Sequence, residues 1–249
     1  MSKLSFSRAT KAINCGLQYH LHYIEQVPVL TKTPIYFITG SAVHEAVEQW
    51  AESGFHKGTL TSLTLNRYKY LLSNESSKYI DADAKIPMLK QAASNTEVLY
   101  RNLGLTERGE IEYQINAEVS GIECTGIIDA YDPGNRAIYD LKISSSEKYV
   151  PDPKQLYLYA HLLRAAGLEC NRVGFLFPLR PEKIQLFEIE GKHLDNAELF
   201  IRIAAKRIKA IEAGDYDART GRHCYSCVYN ETVYCPATNG DELISKWES

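Results

Sequence analysis

"IECTGIIDAYDPGNRAIYDLKISSS", residues 122–146, holds two runs of strand-forming residues with a turn between them. Residues 122–132 and 136–143 are rich in β-branched and aromatic side chains, and Asp132-Pro133-Gly134-Asn135 has the composition of a tight turn. Such a hairpin brings Asp129, late on one strand, close to Asp140 on the next. Strand side chains alternate with a period of two, so Asp140 and Lys142 share one face while Tyr139, Leu141 and Ile143 take the other. Two carboxylates at short range each oppose ionisation of the other unless a cation lies between them. A divalent ion resolves that repulsion, and Mg²⁺ is commonly held by one or two carboxylates with waters and phosphate oxygens. Lys142 would stabilise developing phosphorane charge, or orient and help deprotonate the attacking water. The plain alternative is a surface ion pair worth at most about 1 kcal/mol.

Outward from the hairpin, the periodicity divides the chain. Residues 5–26 read as helical with an interruption at Gly16, capped by Ser5 or Ser7. Residues 39–53 read as a helix capped near Thr39 or Ser41, with Val43, Val47 and Trp50 on one stripe. Helices over 61–73 and 86–103 follow, and 110–119 reads as a strand before the hairpin. Residues 152–167 read as a helix stopped by Gly167, "RVGFLFPL" and "KIQLFEIE" as two more strands, and 195–214 as a last long helix. The expectation is one α/β domain over 1–249: a mainly helical part to 105, a sheet-bearing core over 106–192, and a helix with a cysteine-rich segment over 193–249.

The chain's 249 residues suffice for a sizeable core, and its 45% hydrophobic and 24% charged residues are those of a soluble globular protein. No apolar run approaches membrane-span length, and "MSKLSFSRAT" lacks a secretory signal's apolar stretch, so a cytoplasmic protein with no membrane partner is expected. A net charge of −3 provides no global field for nucleic acid, although a local basic groove is sufficient to bind it. Six cysteines in so long a chain suggest metal ligands or buried thiols rather than a disulfide scaffold. No G-x-x-x-x-G-K-[ST] phosphate loop is present.

"GIIDAYD…YDLKIS" resembles the core of the PD-(D/E)xK nuclease superfamily, with Asp129 as the first acid and Asp140-Leu141-Lys142 as the D-x-K. "QLYLY" sets Gln155 and Tyr159 one above the other on a helix face and resembles the Q-x-x-x-Y motif of RecB-type nucleases. "GSAVH" resembles the G-x-x-x-H of the same families. The resemblance implies a restriction-endonuclease-like fold, a central mixed sheet flanked by helices with an N-terminal helical elaboration. It further implies Mg²⁺ or Mn²⁺ held by His44, Asp129, Asp140 and the Leu141 carbonyl, with Lys142, Gln155 and Tyr159 in catalysis or strand holding. Glu118, on the preceding strand, is a further candidate ligand.

"HCYSCVYNETVYCP" sets Cys224, Cys227 and Cys235 together, and three thiolates leave a tetrahedral site one ligand short. Cys15 lies in "LSFSRATKAINCGLQYHLHY", similar to the L-S-x-S…C-P opening of the iron–sulfur branch of RecB-type nucleases. That branch includes the AddB nuclease domain and CRISPR-associated nucleases that trim prespacers. The resemblance implies a [4Fe-4S] cluster on these four cysteines, stapling the chain ends together; zinc is the rival occupant. Gly16 departs from the family's proline. Cys124 and Cys170 are expected to be core. Arg219 and Arg222, flanking the cysteines, are candidate phosphate contacts, and Tyr19, Tyr23, Tyr225 and Tyr229 are candidate stacking or packing residues. The implied activity is exonuclease action on single-stranded DNA ends, beside a separate helicase or CRISPR adaptation or recombination proteins, or in phage DNA processing within the host cytoplasm. The competing expectation is a catalytically silent DNA-binding or scaffold protein on the same fold.

Overall fold

In a computed structural model, the described residues are 3–29, 33–75, 79, 81–146, 149, 151–230 and 232–235. Glu231 and the residues after Cys235, including the tail of the cysteine-rich segment, lie outside them. The helices are α1 (Phe6–Asn14), α2 (Gly16–Tyr19), α3 (Ile35–Glu52), α4 (Leu60–Ser73), α5 (Ile86–Asn102), α6 (Leu105–Arg108), α7 (Lys154–Ala165) and α8 (Gly191–Glu212). The strands are β1 (Glu110–Val119), β2 (Ile122–Asp132), β3 (Ala137–Leu141), β4 (Arg172–Leu176) and β5 (Ile184–Glu188). Among the described residues they form one mixed sheet in the order β1-β2-β3-β4-β5. This is the mixed sheet flanked by helices that the sequence implies. The chain divides into two compact units, one of residues 1–31, 118–124 and 198–249, the other of residues 32–117 and 125–197.

In the larger unit β3 is the central strand, antiparallel to β2 and parallel to β4. All five of its residues are buried. A parallel partner requires a crossover connection, and α7 supplies it. One core joins Val43, Val47 and Trp50 of α3, Leu89 and Tyr100 of α5, and Tyr139 and Leu141 of β3. Burying each such side chain contributes roughly 1.5–3 kcal/mol, so α3 is held firmly against the strands that carry the acids.

α3 starts four residues earlier than its polar residues suggest. Pro34, with φ −57°, occupies the N-cap position, and proline's missing N–H costs nothing at a helix start. Thr39 instead donates its hydroxyl back to the Tyr36 carbonyl at 3.0 Å, inside the helix. Ser120 and Gly121 connect β1 to β2 with φ of 52° and 75°, the doubly positive pair of a tight hairpin turn.

In the smaller unit Ser5 caps α1, its hydroxyl accepting the Arg8 N–H at 3.3 Å. The helix breaks at Cys15, extended at φ −155°, one residue before the glycine expected to interrupt it. Gly16 has its own packing reason: a Cβ there would lie 2.8 Å from Arg207 Nη2 and 3.0 Å from Tyr216 Cβ.

Candidate active site

The site starts from the β2–β3 turn. Asp132 is fully buried, and its two oxygens accept Arg108 Nε and Nη2 at 3.1 Å each, Asn135 N–H at 3.0 Å and Asn135 Nδ2 at 2.8 Å. Burial alone would raise its pKa, but the bonds from Arg108 and Asn135 outweigh that and hold it below the usual carboxylate range. The turn therefore fixes the hairpin's register, with Ala130 opposite Tyr139. Carried one residue further, the same register sets Asp129 across from Asp140.

Asp129 Oδ2 accepts the Leu141 N–H at 2.7 Å, which ties the β2 acid to the β3 backbone. His44, from α3, brings Nδ1 to 3.6 Å from Asp129 Oδ2 and 3.5 Å from Glu112 Oε1, while Nε2 lies 3.0 Å from the Leu141 carbonyl. One ligand atom each from His44, Glu112 and Asp129 lie within 4.8 Å of one another, close enough to hold a metal ion. Glu112 Oε1 is buried and makes no hydrogen bond tighter than its 3.5 Å approach to His44 Nδ1, which leaves it lone pairs for a cation. The donor set of imidazole and carboxylates suits a divalent ion that accepts oxygen and nitrogen.

The charges are concentrated. Burial would lower the His44 pKa, but Asp129, Glu112 and Asp140 around it raise it to about 9. Burial, and then the Asp129 charge, push Asp140 up to about 6 against the pull of Lys142. Burial also raises Asp129, with His44 opposing it. Lys142 Nζ lies 2.6 Å from Asp140 Oδ2. Burial disfavours its charge, but Asp140 and Asp129 more than compensate and its pKa is raised. The two carboxylates thus favour the ammonium form of the lysine, which suits it to stabilising negative charge.

α7 faces the same acids. Gln155 Nε2 donates to the Tyr159 hydroxyl at 2.8 Å, and the phenol is raised by burial, lowered by Gln155, and raised by Asp129 and Asp140. The glycine of G-x-x-D has a visible reason here. A Cβ on Gly126 would lie 2.5 Å from Tyr159 Cε1 and 2.8 Å from Cδ1. Gly126→Ala therefore has to displace the ring and its bond to Gln155. A denaturant melt is expected to show about 1–3 kcal/mol of destabilisation from this overpacking, and an unchanged midpoint would contradict the packing.

β1 contributes Glu112 to the cluster, whereas Glu118 is exposed near the far end of that strand. Glu110, Glu112 and Glu118 share one parity, so alternation alone does not single out Glu112. Its φ of 48° marks a local irregularity, of the kind that re-aims strand side chains beside functional sites. Tyr100, on α5, also was not distinguishable from core: it is 1% exposed, and burial, then Asp129, Glu112 and Asp140, raise its hydroxyl.

In the smaller unit Arg219 lies beside two of the candidate cysteines. Arg219 donates its N–H to Cys15 Sγ at 3.5 Å, and its carbonyl accepts the Cys224 thiol at 3.8 Å. Burial raises the Cys227 thiol, hydrogen bonds from the Tyr229 and Asn230 backbone lower it, and Cys15 and Cys235 nearby raise it again. Among the described residues, His44, Glu112 and Asp129 are the one group whose ligand atoms lie close enough together to hold a metal ion, and no three of the cysteines meet that spacing. Cys124 and Cys170 are buried, and burial pushes both thiols up to about 11. Tyr19 and Tyr229 are buried packing residues, and Tyr225 is exposed. Arg219 is paired with Asp217 at 3.1 Å, while Arg222 is exposed.

No curated protein matches the sequence. Among solved structures, a chain from Eubacterium rectale described as "Putative exonuclease" matches with TM-score 0.61 and 15% identity, over 93% of this chain and 89% of that one. At that identity the likeness is one of fold. A second solved chain, SSO0001, is 18% identical over 94% of this chain and 96% of its own, at a TM-score of 0.38. The PD-(D/E)XK nuclease superfamily matches residues 3–236, and with that span covering the sheet, the His-Glu-Asp cluster and the D-x-K, the chain belongs to this superfamily.

Proposed function

We propose that this protein is a Mg²⁺- or Mn²⁺-dependent deoxyribonuclease that hydrolyses phosphodiester bonds at the ends of single-stranded DNA. The observation that carries the reading is the meeting of His44, Glu112 and Asp129 beside the Asp140–Lys142 ion pair. His44, Asp129, Asp140 and the Leu141 carbonyl, with Glu112, would hold the ion, which would polarise the scissile phosphate and acidify the attacking water. Lys142, held as an ammonium, stabilises the charge that builds on the phosphorus oxygens. Gln155 and Tyr159 position the strand over the acids. Tyr36 and Phe37, exposed and in ring contact at 4.7 Å, support the single-strand preference. Phe37 precedes His44 by seven residues on α3, nearly two helical turns, and so shares its face. Unpaired bases can stack there.

Cys15, Cys224, Cys227 and Cys235 would hold a [4Fe-4S] cluster that staples their unit together. The protein acts in the cytoplasm, where thiols stay reduced, beside a separate helicase or with CRISPR adaptation or recombination proteins. Among the described residues no helix is long and apolar enough to cross a membrane.

The test is digestion of 5′- and 3′-labelled single strands in Mg²⁺, Mn²⁺ or EDTA. Metal-dependent shortening from one end is expected; intact strands in every metal would reject the reading. Metal binding should also depend on pH with a definite sign. His44 is protonated below about 9, and a metal takes only the neutral imidazole. Binding at neutral pH therefore releases a proton. Affinity for Mn²⁺, followed by calorimetry in two buffers, should rise about tenfold per pH unit towards that pKa and then level. An affinity flat across this range would contradict imidazole ligation.

A further inference from the structure

Arg180, in the turn between β4 and β5, has none of the roles assigned above. Its backbone is fixed beside the catalytic lysine. The last residue of β4, Leu176, accepts the Lys142 N–H at 2.8 Å. The turn then closes through the Arg180 N–H to the Phe177 carbonyl at 2.8 Å, and Asn95 Nδ2 of α5 donates to the Pro178 carbonyl at 2.7 Å. The side chain is equally constrained. Its Cζ stands 4.4 Å from the Phe177 ring centroid, and Nε donates to the Ser144 carbonyl at 3.4 Å, two residues past Lys142.

The far edge of the guanidinium is unsatisfied. Arg180 is 7% exposed, and Nη1 and Nη2 are both buried with no hydrogen-bond partner. Among the described residues no carboxylate pairs with it; the ion pair beside it belongs to Lys142 and Asp140. Guanidinium does not lose its proton in proteins, so neutralisation offers no relief. A buried, unpaired cation is among the costlier features a fold can carry. A planar fork stacked on an aromatic ring, with two parallel N–H groups unused, matches the two non-bridging oxygens of a phosphodiester.

We propose that Arg180 is a substrate-binding residue whose Nη edge takes a DNA phosphate adjoining the scissile one. The proposal rests on the nuclease reading and names a second anchor for the strand. The phosphate enters beside Lys142 as the side chains over the fork move aside, and the Phe177 stack and the Ser144 bond keep the fork oriented meanwhile. Arg180 is then satisfied only in the substrate complex.

The experiment measures anisotropy of a fluorescein-labelled oligothymidylate with the full chain in EDTA, across a range of NaCl, for wild type, Arg180→Met and Arg180→Lys. Loss of one charge-assisted contact should weaken Arg180→Met binding about 10- to 100-fold and reduce the slope of log affinity against log salt by about 0.7. Arg180→Lys should recover the slope while remaining weaker than wild type, because a point charge cannot replace the fork. A merely structural role would lower the melting temperature and leave the slope alone. Arg180→Met with wild-type affinity or slope overturns the proposal. Where Arg180→Met does not fold, Arg180→Lys decides, and wild-type affinity in that variant overturns it. Parallel cleavage in Mn²⁺ separates the two claims. Wild type that binds and never cleaves rejects the nuclease reading and leaves Arg180 standing; intact cleavage with unchanged binding rejects Arg180 alone.

Discussion

Asp140→Asn is expected to reduce Mn²⁺-dependent degradation of a labelled single strand by at least about a thousandfold, the scale at which active-site charge stabilisation operates. The substitution keeps the side chain's shape and removes its charge. It deprives the proposed ion of one carboxylate and releases Lys142 from its 2.6 Å partner, so positioning of both the cation and the ammonium is lost together. Stability should not explain the result. The fold opposes ionisation of Asp140, burial and Asp129 raising its pKa to about 6. The folded state therefore binds the extra proton more tightly than the unfolded chain between the ordinary carboxylate pKa and about 6. Ionised Asp140 thus weakens the fold as pH rises through that window, and asparagine removes the effect. A folded Asp140→Asn variant that degrades DNA at the wild-type rate would remove Asp140 from the mechanism. Lys142→Met tests the partner, and its loss should appear in turnover more than in strand binding.

Cys227→Ala is expected to have the second-largest effect, on integrity rather than chemistry. Cys227 is the thiol on which Cys15 and Cys235 both act, so its loss breaks the set in the middle. Anaerobically purified wild type should be brown with broad absorbance near about 400 nm, as thiolate-bound iron–sulfur clusters are, and the variant colourless. Free energy of a metal centre that the unfolded chain cannot form is folding free energy. The unit of residues 1–31, 118–124 and 198–249 should therefore become protease-sensitive in the variant. Colourless wild type carrying stoichiometric zinc would replace the cluster with a zinc site and leave the catalytic proposal untouched.

The hairpin was legible in the sequence because everything that defines it is local. Asp132-Pro133-Gly134-Asn135 encodes the turn, the register follows from it, and Asp129 and Asp140 are then opposed. Lys142 was legible for the same reason, and Cys224, Cys227 and Cys235 were marked by their fixed spacing, whereas Cys15 rested on the resemblance of its sequence context. What escaped depends on distant groups. Thr39 and Ser41 look like caps, yet Pro34 starts α3 because the helix is held by its buried stripe rather than its first polar residue. Glu112 and Glu118 share one parity, and their places along β1 separate them: Glu112 meets His44 and Asp129, while Glu118 is exposed near the far end of the strand. Arg180 reads as an ordinary turn arginine, and only packing shows that its fork is buried and unpaired.

The most direct measurement is anomalous diffraction at the manganese edge from crystals grown with Mn²⁺. A single strong peak is expected within coordination distance of His44 and Asp129, with Asp140, Glu112 or the Leu141 carbonyl completing the protein ligands. Manganese bound elsewhere, or none in crystals of protein that still degrades DNA, would contradict a metal centre built on these residues.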